Sequence, residues 1–378
     1  MPFQKTSSGA ARLIVVAAVA AAAASMTSCG SDGGISADLP PGPSTTAPPG
    51  DIVLYAAMAD GDRIDAFRLG TDGLLPSEPF DTIFVPEPRR LTIADGVLFA
   101  TLADSIVSME LGPEGELPSR PSSRSLIDED YNPVDLEVQD NILYVAAAGL
   151  GRVQSFELDD DGDIPLLPTG SGAGDIPTDY TSLAINGRLL YSGSRDLQAI
   201  DIFLLKEDGN VFAIAEQQDP VDRIALPDDL EIRDGILYVT SASDRSVRAY
   251  RIQLNGLLPT DEDSRTKSEE YYSDIMLDGH TLYAAAYNAG RIDLYTIDDN
   301  GMLPEEPPFR RTQDDPASYP AHLLMNDGIL YVAQAGLDRV DAYVLDSSGL
   351  PPVYPSSSTN PAPSGRSYPL NLALFQLQ

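Results

Sequence analysis

Seven times along this 378-residue chain, a Leu-Tyr or Leu-Phe step sits inside a short run of alternating side chains. The steps fall at Leu54-Tyr55, Leu98-Phe99, Leu143-Tyr144, Leu190-Tyr191, Leu237-Tyr238, Leu282-Tyr283 and Leu330-Tyr331, spaced by 44, 45, 47, 47, 45 and 48 residues. A second alternating run follows each, such as Arg63-Ile64-Asp65-Ala66-Phe67, Arg152-Val153-Gln154-Ser155-Phe156, Arg291-Ile292-Asp293-Leu294-Tyr295 and Arg339-Val340-Asp341-Ala342-Tyr343. Period-two alternation is that of a strand, and no helical stripe accompanies it. A strand-built repeat of this length stacks on copies of itself, which is the sequence form of a β-propeller.

Turn chemistry divides each repeat. Ahead of the Leu-Tyr strand stand Asp95-Gly96, Asp140-Asn141, Asn186-Gly187, Asp234-Gly235, Asp278-Gly279 and Asp327-Gly328, pairs that tolerate the positive φ of a tight hairpin. A Gly turn follows the next strand, as at Asp72-Gly73, Glu114-Gly115, Asn255-Gly256 and Asn300-Gly301. Each unit reads as strand A, tight turn, strand B, loop, strand C, Gly turn, strand D. The first B strand, Asp51 to Met58, has no A strand before it. Tyr368 to Leu374 resembles an A strand with no B strand after it (compare Tyr319-Pro320-Ala321-His322-Leu323). The expected fold is therefore all-β, a seven-bladed propeller of four-stranded antiparallel blades over residues 51–378. Its C-terminal strand joins the first blade and closes the ring, which removes an exposed sheet edge. Length alone would allow two or three domains; the repeat makes one.

The N-terminus reads as an address. Lys5 and Arg12 precede an apolar run from Leu13 to Ala24, shorter than the roughly 20 residues of a membrane span, so it suits a secretory signal. Met26-Thr27-Ser28-Cys29-Gly30 resembles a bacterial lipobox. The resemblance implies a signal peptide over 1–28, a lipidated Cys29, and a Gly/Ser/Pro tether over 29–50. The expected place is the bacterial cell envelope, extracytoplasmic and lipid-anchored. Gly30 after the cysteine leans toward the outer membrane if the host is Gram-negative. The single Cys leaves no disulfide and no Cys-cluster zinc site.

With 24 Lys+Arg against 58 Asp+Glu, the formal charge is −34. The acids lie largely in the turns and on exposed strand positions, as a solubility coat. Such a surface repels nucleic acid and anionic membranes. Membrane contact is expected through the anchor only, nucleic acid is excluded as a partner, and a monomer is expected. The absence of Trp excludes tryptophan-signature repeats.

The Leu-Tyr-Val strands (Leu143-Tyr144-Val145, Leu237-Tyr238-Val239, Leu330-Tyr331-Val332), the Gly-x-Leu turns and the Pro-x-x-Leu strand starts carry a family resemblance. Residues 51–378 resemble the seven-bladed lactonase family, which includes 6-phosphogluconolactonase-type proteins, and related Tyr-Val-Thr-Asn repeat propellers. These motifs specify fold, not activity. No counterpart of the Arg and Glu set used by the family's enzymes stands out here.

Loops entering strand A and joining B to C share the face that surrounds the channel mouth, the default ligand site. Aligned just before the first apolar residue of each A strand stand Asn371, Arg90, Asp135, Ser182, Asp229, Asp274 and His322, all polar beside apolar strands. Asp229, Asp274 and His322, on consecutive blades, are the candidates for a catalytic acid and base. They are also candidates for a divalent cation such as calcium through oxygen and imidazole donors, although no cofactor is otherwise expected. His322 follows a Pro at a place where, on the resemblance, lactonase-like sequences often carry His. Arg90 pairs with Asp135 or holds a substrate carboxylate. Tyr271, Tyr319 and Tyr368 share one position on blades 6, 7 and 1 and suggest an aromatic shelf beside His322. The alternative for the whole ring is water-facing channel lining whose side chains bond nearby backbone.

Asp159-Asp160-Asp161-Gly162-Asp163 looks like the start of a calcium loop, but no Glu stands at the twelfth position and it coincides with a Gly turn. Arg63, Arg152, Arg291 and Arg339 suggest solvated or inter-blade salt bridges. Two functions fit: an envelope lipoprotein binding a protein, glycan or small molecule at the channel mouth, or serving as a scaffold, and an extracytoplasmic lactone hydrolase.

Overall fold

The computed structural model describes residues 49–126, 128–174, 178–212, 226–266, 270–305, 310–312, 314–360 and 367–377. They form seven antiparallel sheets in a ring, with no α-helix among the described residues. The A strands, which carry the channel, are Pro369–Gln376, Leu91–Ala94, Pro133–Gln139, Tyr180–Asn186, Pro227–Arg233, Tyr272–Asp278 and Pro320–Asn326 for blades 1 to 7. Six sheets have four strands; the expected fourth strand of blade 4 falls on residues 213–225, outside the described residues. The lipobox, Cys29 and most of the tether also lie outside them.

Closure is as expected. The C-terminal strand pairs antiparallel with the first B strand (Pro49–Met58), with Leu374 opposite Leu54 and Leu372 opposite Ala56. Four of the hairpin turns have positive φ at both central residues, as at Asp95 (49°) and Gly96 (80°). Two differ from the sequence reading. Asn186 pairs with Leu189 and Asp278 with Thr281, so the turn residues are Gly187-Arg188 and Gly279-His280. Only the glycine has positive φ there. A turn that needs positive φ at its first position alone puts Gly first, which shifts the pair by one residue.

The core is seven layers between blades rather than one centre. Val53 and Tyr55 of blade 1 pack with Leu98, Ala100 and Met109 of blade 2, and a comparable cluster fills each boundary round to blade 7 against blade 1. The Leu-Tyr motif has a second role. The hydroxyls of Tyr55, Tyr144, Tyr191 and Tyr238 donate to the carbonyls of Gly115, Gly209, Gly256 and Gly301, each at 2.7 Å. Tyr283 and Tyr331 donate to Gly349 and Gly73 at 2.5 and 2.6 Å. Every acceptor lies in the Gly turn of the next blade, where φ is positive, as at Gly115 and Gly256. Buried hydroxyls require a partner, and the turn supplies it. Blade 2 carries Phe99 instead, so the boundary between blades 2 and 3 has no such latch.

Asp159 turns its carboxylate onto the backbone N–H groups of Asp161 and Asp163 at 3.0 and 2.8 Å, the chemistry of a turn. Three of the recurring arginines pair with an aspartate of their own strand, and Arg291 also reaches Glu270 at 3.6 Å and Asp314 at 3.4 Å in the adjoining loops. Arg63 meets Asp65 at 2.9 Å, Arg291 meets Asp293 at 2.7 Å and Arg339 meets Asp341 at 2.8 Å, while Arg152 is exposed. Side chains two apart share a strand face, and those aspartates are buried.

Candidate functional site

The polar ring sits where each A strand begins. Three residues before it, the chain turns through a left-handed residue at Glu87, Asn132, Leu226, Tyr319 and Tyr368, with φ of 42 to 58°, each followed by Pro. Left-handed non-glycine residues carry strain that surrounding structure must hold in place. The turn aims the next residues along the channel wall.

Asn371, Arg90, Asp135, Asp229, Asp274 and His322 line one cavity of about 240 Å3. Ser182 does not line it; it is fully buried, and its hydroxyl has no partner among the described residues. Four ring members also fasten the next blade. Asn371 accepts from the Leu91 N–H at 2.9 Å, Asp135 from Leu183 at 2.8 Å, Asp229 from Ile275 at 3.0 Å and Asp274 from Leu323 at 2.7 Å. Each of these contacts uses one side-chain oxygen. Arg90 is 3.8 Å from Asp135. Among the described residues, no group of three or more His, Cys, Asp or Glu is placed to hold a metal ion.

Burial dominates the electrostatics. It raises Asp135, which Arg90 pulls back, and it raises Asp229 against the pull of Arg90. Asp274 is held well above the usual carboxylate range by burial and then by Asp229. Burial works against the Arg90 charge, but Asp135, Asp274 and Asp229 outweigh it and hold the guanidinium charged. His322 is pushed down to about 3 by burial and then by Arg90. It is a neutral imidazole at physiological pH, and its Nδ1 has no hydrogen-bond partner among the described residues.

The sequence reading missed a second tier. Glu137 and Glu231 stand two residues below Asp135 and Asp229 and line the same cavity. A further cavity of about 320 Å3 begins at these two residues and continues along the A strands of blades 3 to 5. Glu137 is exposed to the channel. Glu231 buries its Oε2 without a partner among the described residues, and burial followed by Asp229 pushes it up to about 8. Strand alternation alone places both on the channel face.

The three predicted tyrosines come together, with a fourth that was not foreseen. Tyr287, just after strand B of blade 6, stacks on Tyr319 at 5.1 Å and meets Tyr271 edge-on at 6.0 Å. Its hydroxyl lies 2.5 Å from that of Tyr368. The Tyr271 hydroxyl donates to Asp228, and Asp228 pairs with Arg195 at 3.0 Å. These contacts run along the rim over five blades, and none of the four rings lines the cavity below. Arg195, Asp228 and Tyr287 occur on one blade each, so the repeat carries no sign of them.

Residues 213–366, which include Asp229, Asp274 and His322, match the family model described as "Lactonase, 7-bladed beta-propeller". No curated relative matches the chain. Among solved structures, the periplasmic gluconolactonase PpgL of Pseudomonas aeruginosa is similar at 15% identity and a TM-score of 0.70, over 86% of this chain and 99% of that one. A Bacteroides uniformis protein provisionally described as a 6-phosphogluconolactonase is similar at 17% identity and a TM-score of 0.69, over 86% and 100%. A Lactobacillus plantarum protein is similar at 13% and 0.69, over 86% and 99%. At such identities the likeness is one of fold: this chain is built as a lactonase-like seven-bladed propeller.

Proposed function

We propose that the chain is an exported, lipid-anchored propeller of the bacterial cell envelope that binds a small polar ligand at the mouth of its channel. One observation carries the binding half. Asp135, Asp229 and Asp274 each commit one oxygen to the neighbouring blade while lining a cavity of about 240 Å3. Carboxyl groups held in this way are pre-organised, which lowers the ordering cost of binding. The envelope half rests on the apolar run from Leu13 to Ala24 and the lipobox ending at Cys29. Cys29→Ser is expected to move the protein from the membrane to the soluble fraction, and continued membrane association would count against the anchor.

A second reading, lactone hydrolysis, is favoured by the raised Asp229 carboxyl, which suits a general base near neutral pH, and by a solved neighbour named as a gluconolactonase. One experiment separates the two. Thermal unfolding of the purified full-length protein is followed against a panel of small polar metabolites that includes aldonolactones. The same lactones are assayed for acid release. The comparison protein carries Asp229→Asn and Asp274→Asn, which keep an oxygen for the backbone bond. Stabilisation by a panel member, lost in the double variant and without turnover, is the expected result. Turnover lost in the variant would make the protein a hydrolase. No stabilisation by any member would overturn the binding reading.

A further inference from the structure

The channel mouth combines two features that the ring alone does not explain. Asp229 and Asp274 line the cavity, Asp274 is only 4% exposed, and among the described residues no ion pair compensates either carboxyl. Arg195 is engaged with Asp228, and Arg90, which lines the same cavity and lies 3.8 Å from Asp135, draws on Asp229 and Asp274 only at longer range. Above this cavity runs the arc of Tyr271, Tyr287, Tyr319 and Tyr368, closed at one end by Asp228. Tyr287 is buried beneath Tyr319, whereas Tyr271, Tyr319 and Tyr368 keep partial exposure. Aromatic faces attract cations through their quadrupole, best when the cation is poorly hydrated. Uncompensated buried carboxyls attract the same charge, and the protein's net charge of −34 steers cations toward it.

Building on the channel-binding reading above, we propose that the ligand is an organic ammonium ion. Its charged head sits in the cavity against Asp229 and Asp274, and its alkyl substituents lie on the tyrosine arc. A compact metal ion would gain nothing from the arc, and an uncharged polyol could donate hydrogen bonds to the carboxyls but would not neutralise them. Burial raises both aspartates, and Asp229 raises Asp274 further, as expected of carboxyls waiting for a counter-charge.

The chain has no Trp, so its emission comes from its 17 tyrosines, and the share that belongs to the arc is read as the difference between the native protein and Tyr319→Leu. The full-length protein is titrated with choline and with 3,3-dimethylbutan-1-ol, the uncharged molecule of the same shape. Choline is expected to change the emission saturably and to bind at least about tenfold more tightly than the alcohol. Asp229→Asn with Asp274→Asn should cost about tenfold in choline affinity, and Tyr319→Leu several-fold, while the unfolding midpoint of each variant confirms that it is folded. Equal affinity for the two probes, or choline binding unchanged in both variants, would overturn the proposal. No response to choline from a protein that does bind an aldonolactone would overturn it too, while leaving the channel-binding reading in place. A protein that binds none of these would lose both.

Discussion

Asp274 performs two tasks that substitution can separate. Its Oδ2 accepts from the Leu323 N–H at 2.7 Å, and both residues are almost wholly buried, at 4% and 1% exposure. Asp274→Ala strands that N–H between blades, a loss of about 1–3 kcal/mol. Asp274→Asn keeps an acceptor there, as Asn371 already does for Leu91 at 2.9 Å. Asparagine should therefore exceed alanine by about 1–3 kcal/mol at any pH. The charge is read from asparagine against the native aspartate. The folded pKa of Asp274 is raised by burial and by Asp229, so the folded state keeps its proton where the unfolded chain has lost it. Stability from this group is therefore full below its unfolded pKa of about 3.9 and falls as pH rises toward the folded value. Asp274→Asn lacks that decline. The two proteins should be nearly equal near about pH 4, with asparagine the more stable near about pH 7.5. Urea unfolding of all three proteins at both pH values measures this. Equal stability of the asparagine and alanine variants would refute the inter-blade bond, and an asparagine variant that gains nothing at the higher pH would refute the uncompensated charge.

The boundary between blades 2 and 3 lacks the hydroxyl latch because Phe99 stands where six other repeats carry Tyr. Phe99→Tyr should add a bond to the Gly162 carbonyl and stabilise by about 1 kcal/mol, while Tyr238→Phe, which loses the 2.7 Å bond to Gly301, should cost about as much; urea midpoints decide both. The chain has only two His, so the His322 NMR signal is readily assigned. His322 should titrate near 3, and Arg90→Gln should move its midpoint up while burial keeps it below the ordinary value. A midpoint unmoved by that change would mean that Arg90 does not face the imidazole.

What the sequence made legible was what the repeat says more than once. The Leu-Tyr strands and the Gly turns could be read separately as strand and turn signs, and both are correct. They are also two halves of one contact, because each Tyr hydroxyl reaches the Gly carbonyl of the following blade. One-dimensional spacing cannot reveal that pairing. The ring could be aligned because every blade offers a polar residue at that position. Glu137 and Glu231 were within reach, two residues further along the same strand faces. Arg195, Asp228 and Tyr287 were not, because each departs from the repeat on a single blade, and only the ring's closure brings blades 4, 5, 6, 7 and 1 to one rim.

That division bears on how such a site can change without losing the fold. A ring position that fastens the next blade must keep an oxygen in reach of a buried N–H, a condition met by Asp135, Asp229, Asp274 and Asn371. Charge is not part of the condition, since Asn371 meets it without one. The mechanical requirement therefore accounts for the oxygen and leaves the charge unexplained. In a buried channel, an uncompensated carboxylate is costly, and the asparagine on blade 1 shows that an uncharged alternative fits. Asp135 has Arg90 beside it, but Asp229 and Asp274 stand where an amide would serve and have no ion pair among the described residues, so the case for a ligand rests on these two and on the tyrosine arc above, more than on the polarity of the ring as a whole.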